Sequence, residues 1–179
     1  MEAHRKPKQL DPKGLWEYAL RVLGRRAHSV GELRVKLARR AQKQADVGEV
    51  LNKLREYGLA DDVTFSEAFA SSRLQNSGFG RLRILRELRA KRVAPAVADK
   101  AVEKTFAGSE ESELIERFLA RKYRNTDLRD HLKDEKNLAN AYRRLITAGF
   151  SGRISLSVLK RYASSERDWD EPPEEAEID

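Results

Sequence analysis

Phe79-Gly80-Arg81-Leu82-Arg83-Ile84-Leu85-Arg86-Glu87-Leu88-Arg89-Ala90-Lys91-Arg92 is the stretch from which the fold can be read. Ile84, Leu85 and Leu88 recur at the spacing of one buried stripe on an α-helix, so residues 79–92 are expected to be helical. Arg83, Arg86 and Arg89 step by three along the face away from that stripe. Like charges so placed repel by roughly a few tenths of a kcal/mol per pair. A chain that keeps such a row gains elsewhere, most simply by meeting phosphates or acidic side chains. The pattern has echoes. Glu32-Leu33-x-x-Lys36-Leu37 stands 51 residues before Arg83-Ile84-x-x-Glu87-Leu88, and Ala141-x-x-x-Leu145 ends 57 residues beyond Leu88.

Working outward, the same period marks helices over about 15–26, 30–42 and 47–57, then 63–75, 79–92 and 95–106, then 110–124, 135–148 and 154–164. Ser29 with Glu32 forms a capping-box pattern, Asp46 is the expected cap of the third helix, and Asp61 or Asp62 that of the fourth. Gly58 and Gly149 stand at helix ends and Pro95 at a first helical position. Leu and Ala number 42 against 15 Val and Ile, which favours helix over strand. The chain is therefore expected to be all-α, with three tandem three-helix, helix-turn-helix-like repeats at 15–60, 61–108 and 109–165. A three-helix unit barely covers its own apolar stripe, so stacked neighbours and an elongated, curved molecule are expected. Residues 1–14 and 166–179 read as a flexible N-terminal segment and an acidic disordered tail.

With 36 Lys+Arg against 29 Asp+Glu the 179 residues carry +7, but eight acids and only Arg167 fall after Ser165. The tail thus holds −7 and the rest +14, a balance that points to an anionic partner, usually nucleic acid. The absence of cysteine excludes disulfides and Cys-based zinc sites. No apolar run approaches the ~20 residues needed to span a bilayer, and residues 1–14 lack a secretory apolar core. A cytoplasmic protein is expected.

No catalytic constellation assembles. His4, His28 and His131 are scattered, Gly78-Phe79-Gly80 lacks the third glycine of a dinucleotide fingerprint, and no phosphate-loop motif occurs. Asp61-Asp62, with Thr64 and Glu67 at capping spacing, reads as helix capping rather than a metal pair. Neither an enzyme nor a cofactor is expected. The basic residues carry the signal: Arg81, Arg83, Arg86, Arg89, Lys91 and Arg92 on the central helix, Arg34, Lys36, Arg39 and Arg40 on its counterpart in the first repeat, and Arg143, Arg144, Arg153, Lys160 and Arg161 in the third. Most of the 13 aromatic residues fall on apolar stripes and read as core rather than as stacking platforms for single strands.

Taken in order, Ser29-x-x-Glu32-Leu33-x-x-Lys36-Leu37, Leu59-x-Asp61-Asp62-x-x-Phe65, Gly78-Phe79-Gly80-x-x-x-Ile84-x-x-Glu87-Leu88-x-x-Lys91 and Arg144-Leu145-x-x-x-Gly149-Phe150 resemble the RecX regulatory proteins. The likeness spans about residues 15–163. Ala41 and Arg92 depart from it, standing where the family usually has glycine, so those helix ends are expected to close differently. The resemblance implies three tandem three-helix units in a curved rod. It also implies a modulator, usually negative, of the RecA recombinase, lying in the groove of the RecA–DNA filament and limiting its growth, ATP hydrolysis and strand exchange. Implied partners are that filament and single- and double-stranded DNA through phosphate contacts, with no membrane and a monomeric chain.

The competing reading is a general DNA-binding or helix-turn-helix transcription factor, which would prefer one duplex sequence at physiological salt. No Asn or Gln cluster marks a recognition helix for it. The acidic tail has two readings of its own: a disordered solubilising terminus, or a segment whose −7 charge folds back on the basic body and competes with DNA, with Trp169 docking on the body or a partner.

Overall fold

A computed structural model of the chain describes residues 9–163. The tail, with Trp169 and the prolines 172 and 173, and residues 1–8 lie outside the described residues. Those described form ten α-helices and no strand: α1 Pro12–Leu23, α2 Val30–Ala38, α3 Gln44–Glu56, α4 Asp62–Ser72, α5 Arg81–Ala90, α6 Pro95–Thr105, α7 Glu111–Lys122, α8 Leu128–His131, α9 Glu135–Ala148 and α10 Gly152–Tyr162. A π-helical turn, Arg73–Ser77, prolongs α4. The helices pack as two compact units. Among the described residues, unit 1 gathers 9–70 with 87–105, and unit 2 takes 71–86 with 106–163. These units cut across the repeat bounds expected from helix order, since residues 71–86 of the expected second repeat pack in unit 2.

In unit 1, Leu15, Ala19, Leu33, Leu37, Leu51 and Leu54 are fully enclosed where α1, α2 and α3 meet. Burying each leucine is worth about 1.5–3 kcal/mol relative to exposure. The chain enters earlier than expected. Leu10 bridges to Ala41, donating its N–H to the Arg40 carbonyl at 2.6 Å and accepting from Gln42 at 3.0 Å. Asp11 then caps α1 by accepting from the Gly14 N–H at 2.8 Å, with Pro12 at the first helical position. Residues 9–14 are thus built into the unit rather than belonging to a flexible segment. This bridge is also how Ala41 replaces a glycine, since the chain leaves α2 without a left-handed residue there.

Ser29 and Glu32 form the expected capping box. The Ser29 hydroxyl also donates to the Lys91 carbonyl at the end of α5, and the Val30 N–H donates to Asp62 Oδ1 at 2.8 Å. Asp61 is the cap of α4, accepting from the Val63 and Thr64 N–H groups, and these bonds, led by that of the Thr64 hydroxyl, lower its pKa. The adjacent aspartates therefore divide their work, one within α4 and one across to α2. Glu67 bonds Lys104 at 2.7 Å instead of its own helix start. Asp46 does not cap α3, which begins at Gln44; it lies buried in the first turn, where a negative charge suits the helix dipole. Arg92 has φ 62, the left-handed conformation that favours glycine, so α5 ends in a left-handed residue although none of its last residues is glycine. A Cβ on Gly31 would stand well under 3.0 Å from Arg92, which explains why the second residue of α2 carries no side chain.

Unit 2 encloses Ile84, Ile115, Leu119, Leu132, Leu145 and Leu159. Its central joint sets α9 head to tail against α5. The Gly80 N–H donates to the Ala148 carbonyl at 2.8 Å and the Leu82 N–H to the Gly149 carbonyl at 3.1 Å, so the orphan groups of one helix end satisfy those of the other. Gly149, at φ 92, sits against the backbone of Arg83. Glu111 accepts from both the Ser151 N–H and hydroxyl, fixing the entry to α10. The short α8, in a stretch read as polar connection, is held by Asp127, whose carboxylate accepts from the N–H groups of Arg129 and Asp130.

Candidate nucleic-acid interface

The joint in unit 2 forms one wall of a cleft of about 600 Å³. Phe118, Arg121 and Lys122 share one face of α7, and Asn140, Arg143, Arg144 and Thr147 share one face of α9, each set at helical spacing. Phe79 and Arg83 complete the lining from the start of α5. Five cations converge and no carboxylate lies among the lining residues.

Four of the cations are held by the fold. The Arg83 guanidinium lies 3.6 Å from the centre of the Phe79 ring and donates to the Thr147 carbonyl at 3.4 Å. Arg121 donates to the Asn76 carbonyl at 3.1 Å and to that of Ser77, so it caps the carbonyl end of the π-helical turn, as a cation at a helix C-terminus should. Arg143 donates to Asn140 Oδ1 at 2.6 Å, and Arg144 stands 5.8 Å from the centre of the Tyr123 ring. Side chains already fixed lose less rotamer freedom when an anion arrives. Gly78, at φ 66, brings the backbone close to Arg121 and turns the chain toward Phe79.

Of the residues expected from sequence, Arg83, Arg143 and Arg144 meet here. The arginine row on α5 is divided between the units: Arg83 and Arg86 fall in unit 2, while Arg89 falls in unit 1 and pairs with Asp99 at 3.6 Å. Arg81 lies 5.0 Å from the Phe106 ring centre, and Arg161 pairs with Glu116 at 3.0 Å. Lys91 sits between Glu32, at 3.5 Å, and the Phe69 ring. Burial works to raise the Glu32 pKa, but the Arg26 hydrogen bond and the Lys91 charge outweigh it and leave the carboxyl below its ordinary value. Arg40 packs over Tyr18, and Lys160 is half-buried on α10. Arg34, Arg39, Arg86, Arg92 and Arg153 are exposed on their helices or helix ends. Lys36 lines a second, smaller basic notch in unit 1 with Arg21, Arg25, Arg26 and the buried His28.

Sequence reasoning missed Arg121 and Lys122, although Arg117, Arg121, Lys122 and Arg124 crowd the end of α7. It also read most aromatic residues as core, whereas Phe79 and Phe118 are half-buried and line the cleft. Among the described residues no helix is long and apolar enough to cross a membrane.

Comparison with known proteins bears on this arrangement. Residues 16–54 match the first three-helix domain of RecX and residues 61–102 the second. A regulatory protein RecX of a Mycobacterium species is 32% identical over 155 residues, covering 84% of this chain and 82% of that one. The chain belongs to the RecX family. The regulatory protein RecX of Halorhodospira halophila is 46% identical over 85 residues, a match that spans 48% of this chain and about half, 52%, of that relative. RecX from Lactobacillus salivarius shares the fold, with TM-score 0.67 at 22% identity over 84% of this chain and 96% of that one. The all-helical repeat architecture expected from the period of the apolar residues is therefore the RecX architecture, and the chain is a member of a family of regulatory proteins.

Proposed function

We propose that this RecX-family chain is a non-enzymatic regulator that binds the RecA–DNA filament and inhibits RecA ATP hydrolysis, filament extension and strand exchange. It acts as a cytoplasmic monomer, without a cofactor, and reaches single- and double-stranded DNA through phosphates. The observation that carries this reading is the acid-free cleft of Arg83, Arg121, Lys122, Arg143 and Arg144. Arg121, Lys122, Arg143 and Arg144 face a cleft with no carboxylate among its lining residues, so their like charges repel unless an anion joins them, and arginine forks match phosphate geometry. Family membership supports regulation as the outcome of that binding.

The test is a RecA ATPase assay on single-stranded DNA with the wild-type chain and with a Lys122→Ala, Arg143→Ala, Arg144→Ala variant. All three residues are exposed, so the helical circular dichroism should be retained. The wild type is expected to depress hydrolysis, and the variant to do so only at about tenfold or higher concentration, given ~1 kcal/mol or more from several charge-assisted contacts. Undiminished inhibition by the variant removes the cleft from the mechanism.

A further inference from the structure

We propose that the cleft of unit 2 takes a single unpaired nucleotide of a DNA strand, with its phosphate on the cations and its base against the phenylalanine rings. The proposal rests on the reading that this cleft binds nucleic acid, and it adds what the cleft contacts besides phosphate.

The argument starts from the rings. A surface that only tracks a phosphate backbone needs cations and nothing apolar between them. Here Phe79 and Phe118 stand among five cations and contribute to the wall. Phe118 is anchored from behind by an edge contact with the buried Phe150, at 5.7 Å between centres and 69° between planes. It precedes Arg121 and Lys122 by three and four residues on α7, so ring and charge fall on one face, side by side. Base faces stack on aromatic rings whatever the base, while paired bases hide those faces inside the duplex. The volume of about 600 Å³ fits the ~300–1,000 Å³ range of small-ligand sites, the size class of one nucleotide rather than of a duplex. Asn140 adds a polar edge. Because Arg143 donates to its Oδ1, its amide nitrogen keeps its donors for another partner, such as a base carbonyl. The expected consequence is preference for single strands over duplex, without strong preference among bases.

The probe is fluorescence anisotropy with the full chain at fixed salt on four ligands: an oligonucleotide, the same oligonucleotide with several adjacent nucleotides made abasic, its duplex, and a free nucleoside monophosphate as competitor. Abasic substitution keeps every phosphate. It should weaken binding by roughly fivefold to a hundredfold, the scale of one missing base–ring stack. The duplex should bind more weakly than the intact strand, and the free nucleotide should displace it only at far higher concentration. Phe79→Leu and Phe118→Leu should each weaken the intact strand more than the abasic one and bring their affinity ratio toward one, with Phe79→Leu also weakening both through its loss of the Arg83 contact. Equal affinity for intact and abasic strands overturns the base contact and leaves the phosphate reading standing. Leucine variants that weaken both strands alike make the rings purely structural, and displacement by free nucleotide at strand concentrations makes the site a mononucleotide pocket; either result overturns the proposal. Binding indifferent to salt and to Arg143→Ala, Arg144→Ala would instead defeat the underlying reading of the cleft as a nucleic-acid site.

Discussion

A methyl group added at residue 80 should pry α9 away from α5. The Cβ of a Gly80→Ala chain would stand 2.5 Å from the Gly149 carbonyl carbon and 2.8 Å from the Phe150 nitrogen, and closer still to the Gly149 oxygen. All three are backbone atoms in the turn that ends α9, so no side chain can swing aside. Relief requires the two helix ends to separate. That stretches the bonds from Gly80 to Ala148 and from Leu82 to Gly149, each worth about 0.5–1.5 kcal/mol net. Overpacking of a tight site adds about 1–3 kcal/mol. The expected loss is about 2–6 kcal/mol, or a fall in Tm of about 4–24 °C at ~2–4 °C per kcal/mol for a chain of this size. Gly48→Ala supplies the control. Gly48 lies inside α3 with nothing within 4 Å of its would-be Cβ, so alanine there should stabilise by up to about 1 kcal/mol. Thermal melts by circular dichroism compare the two. If Gly80→Ala melts at or above the wild-type temperature, the head-to-tail joint is not the constraint described.

Arg92→Gly should raise the urea midpoint by the equivalent of up to about 1 kcal/mol, because Arg92 holds φ 62 against a left-handed penalty of ~1–2 kcal/mol and glycine returns part of that as chain entropy. Acid should loosen unit 1. Burial drives the His28 pKa below its ordinary 6.5, so the native state favours the neutral ring and stability falls as pH drops through 6.5 toward the folded value. His28→Gln should flatten the urea midpoint between pH 7.5 and 5, and an unchanged slope would exclude that assignment. Arg143→Ala, Arg144→Ala should lower the slope of log affinity against log salt for single-stranded DNA by about 1.4, at ~0.7 for each phosphate left without its cation, measured from 50 to 300 mM salt.

What the sequence disclosed was local. Ser29 with Glu32 and Pro95 are written within one helical turn of where they act, and Gly58 and Gly149 take the left-handed conformation that a stop requires. Asp46 shows the limit of such signals: an acid near a helix start suits both a cap and a first turn, and with α3 beginning at Gln44 it takes the first turn. The cleft was less legible because its parts are far apart in the chain. Arg121 belongs with Arg143 only because α7 and α9 line the same cleft. A period of three puts Arg83, Arg86 and Arg89 on one helix face, but it does not say that Arg83 folds onto Phe79 while Arg89 turns to Asp99. Long side chains reach for partners that periodicity does not know.

The amides of Gly80 and Leu82 find their acceptors at Ala148 and Gly149, about 70 residues downstream. During synthesis at ~5–20 residues per second, the leading edge of α5 leaves the ribosome several seconds before those acceptors exist. Throughout that interval Phe79, Leu82 and the arginine beside them are a nascent surface without its counterpart. The joint can close only after Ala148 and Gly149 have themselves emerged, so the start of α5 is among the last parts of unit 2 to be completed.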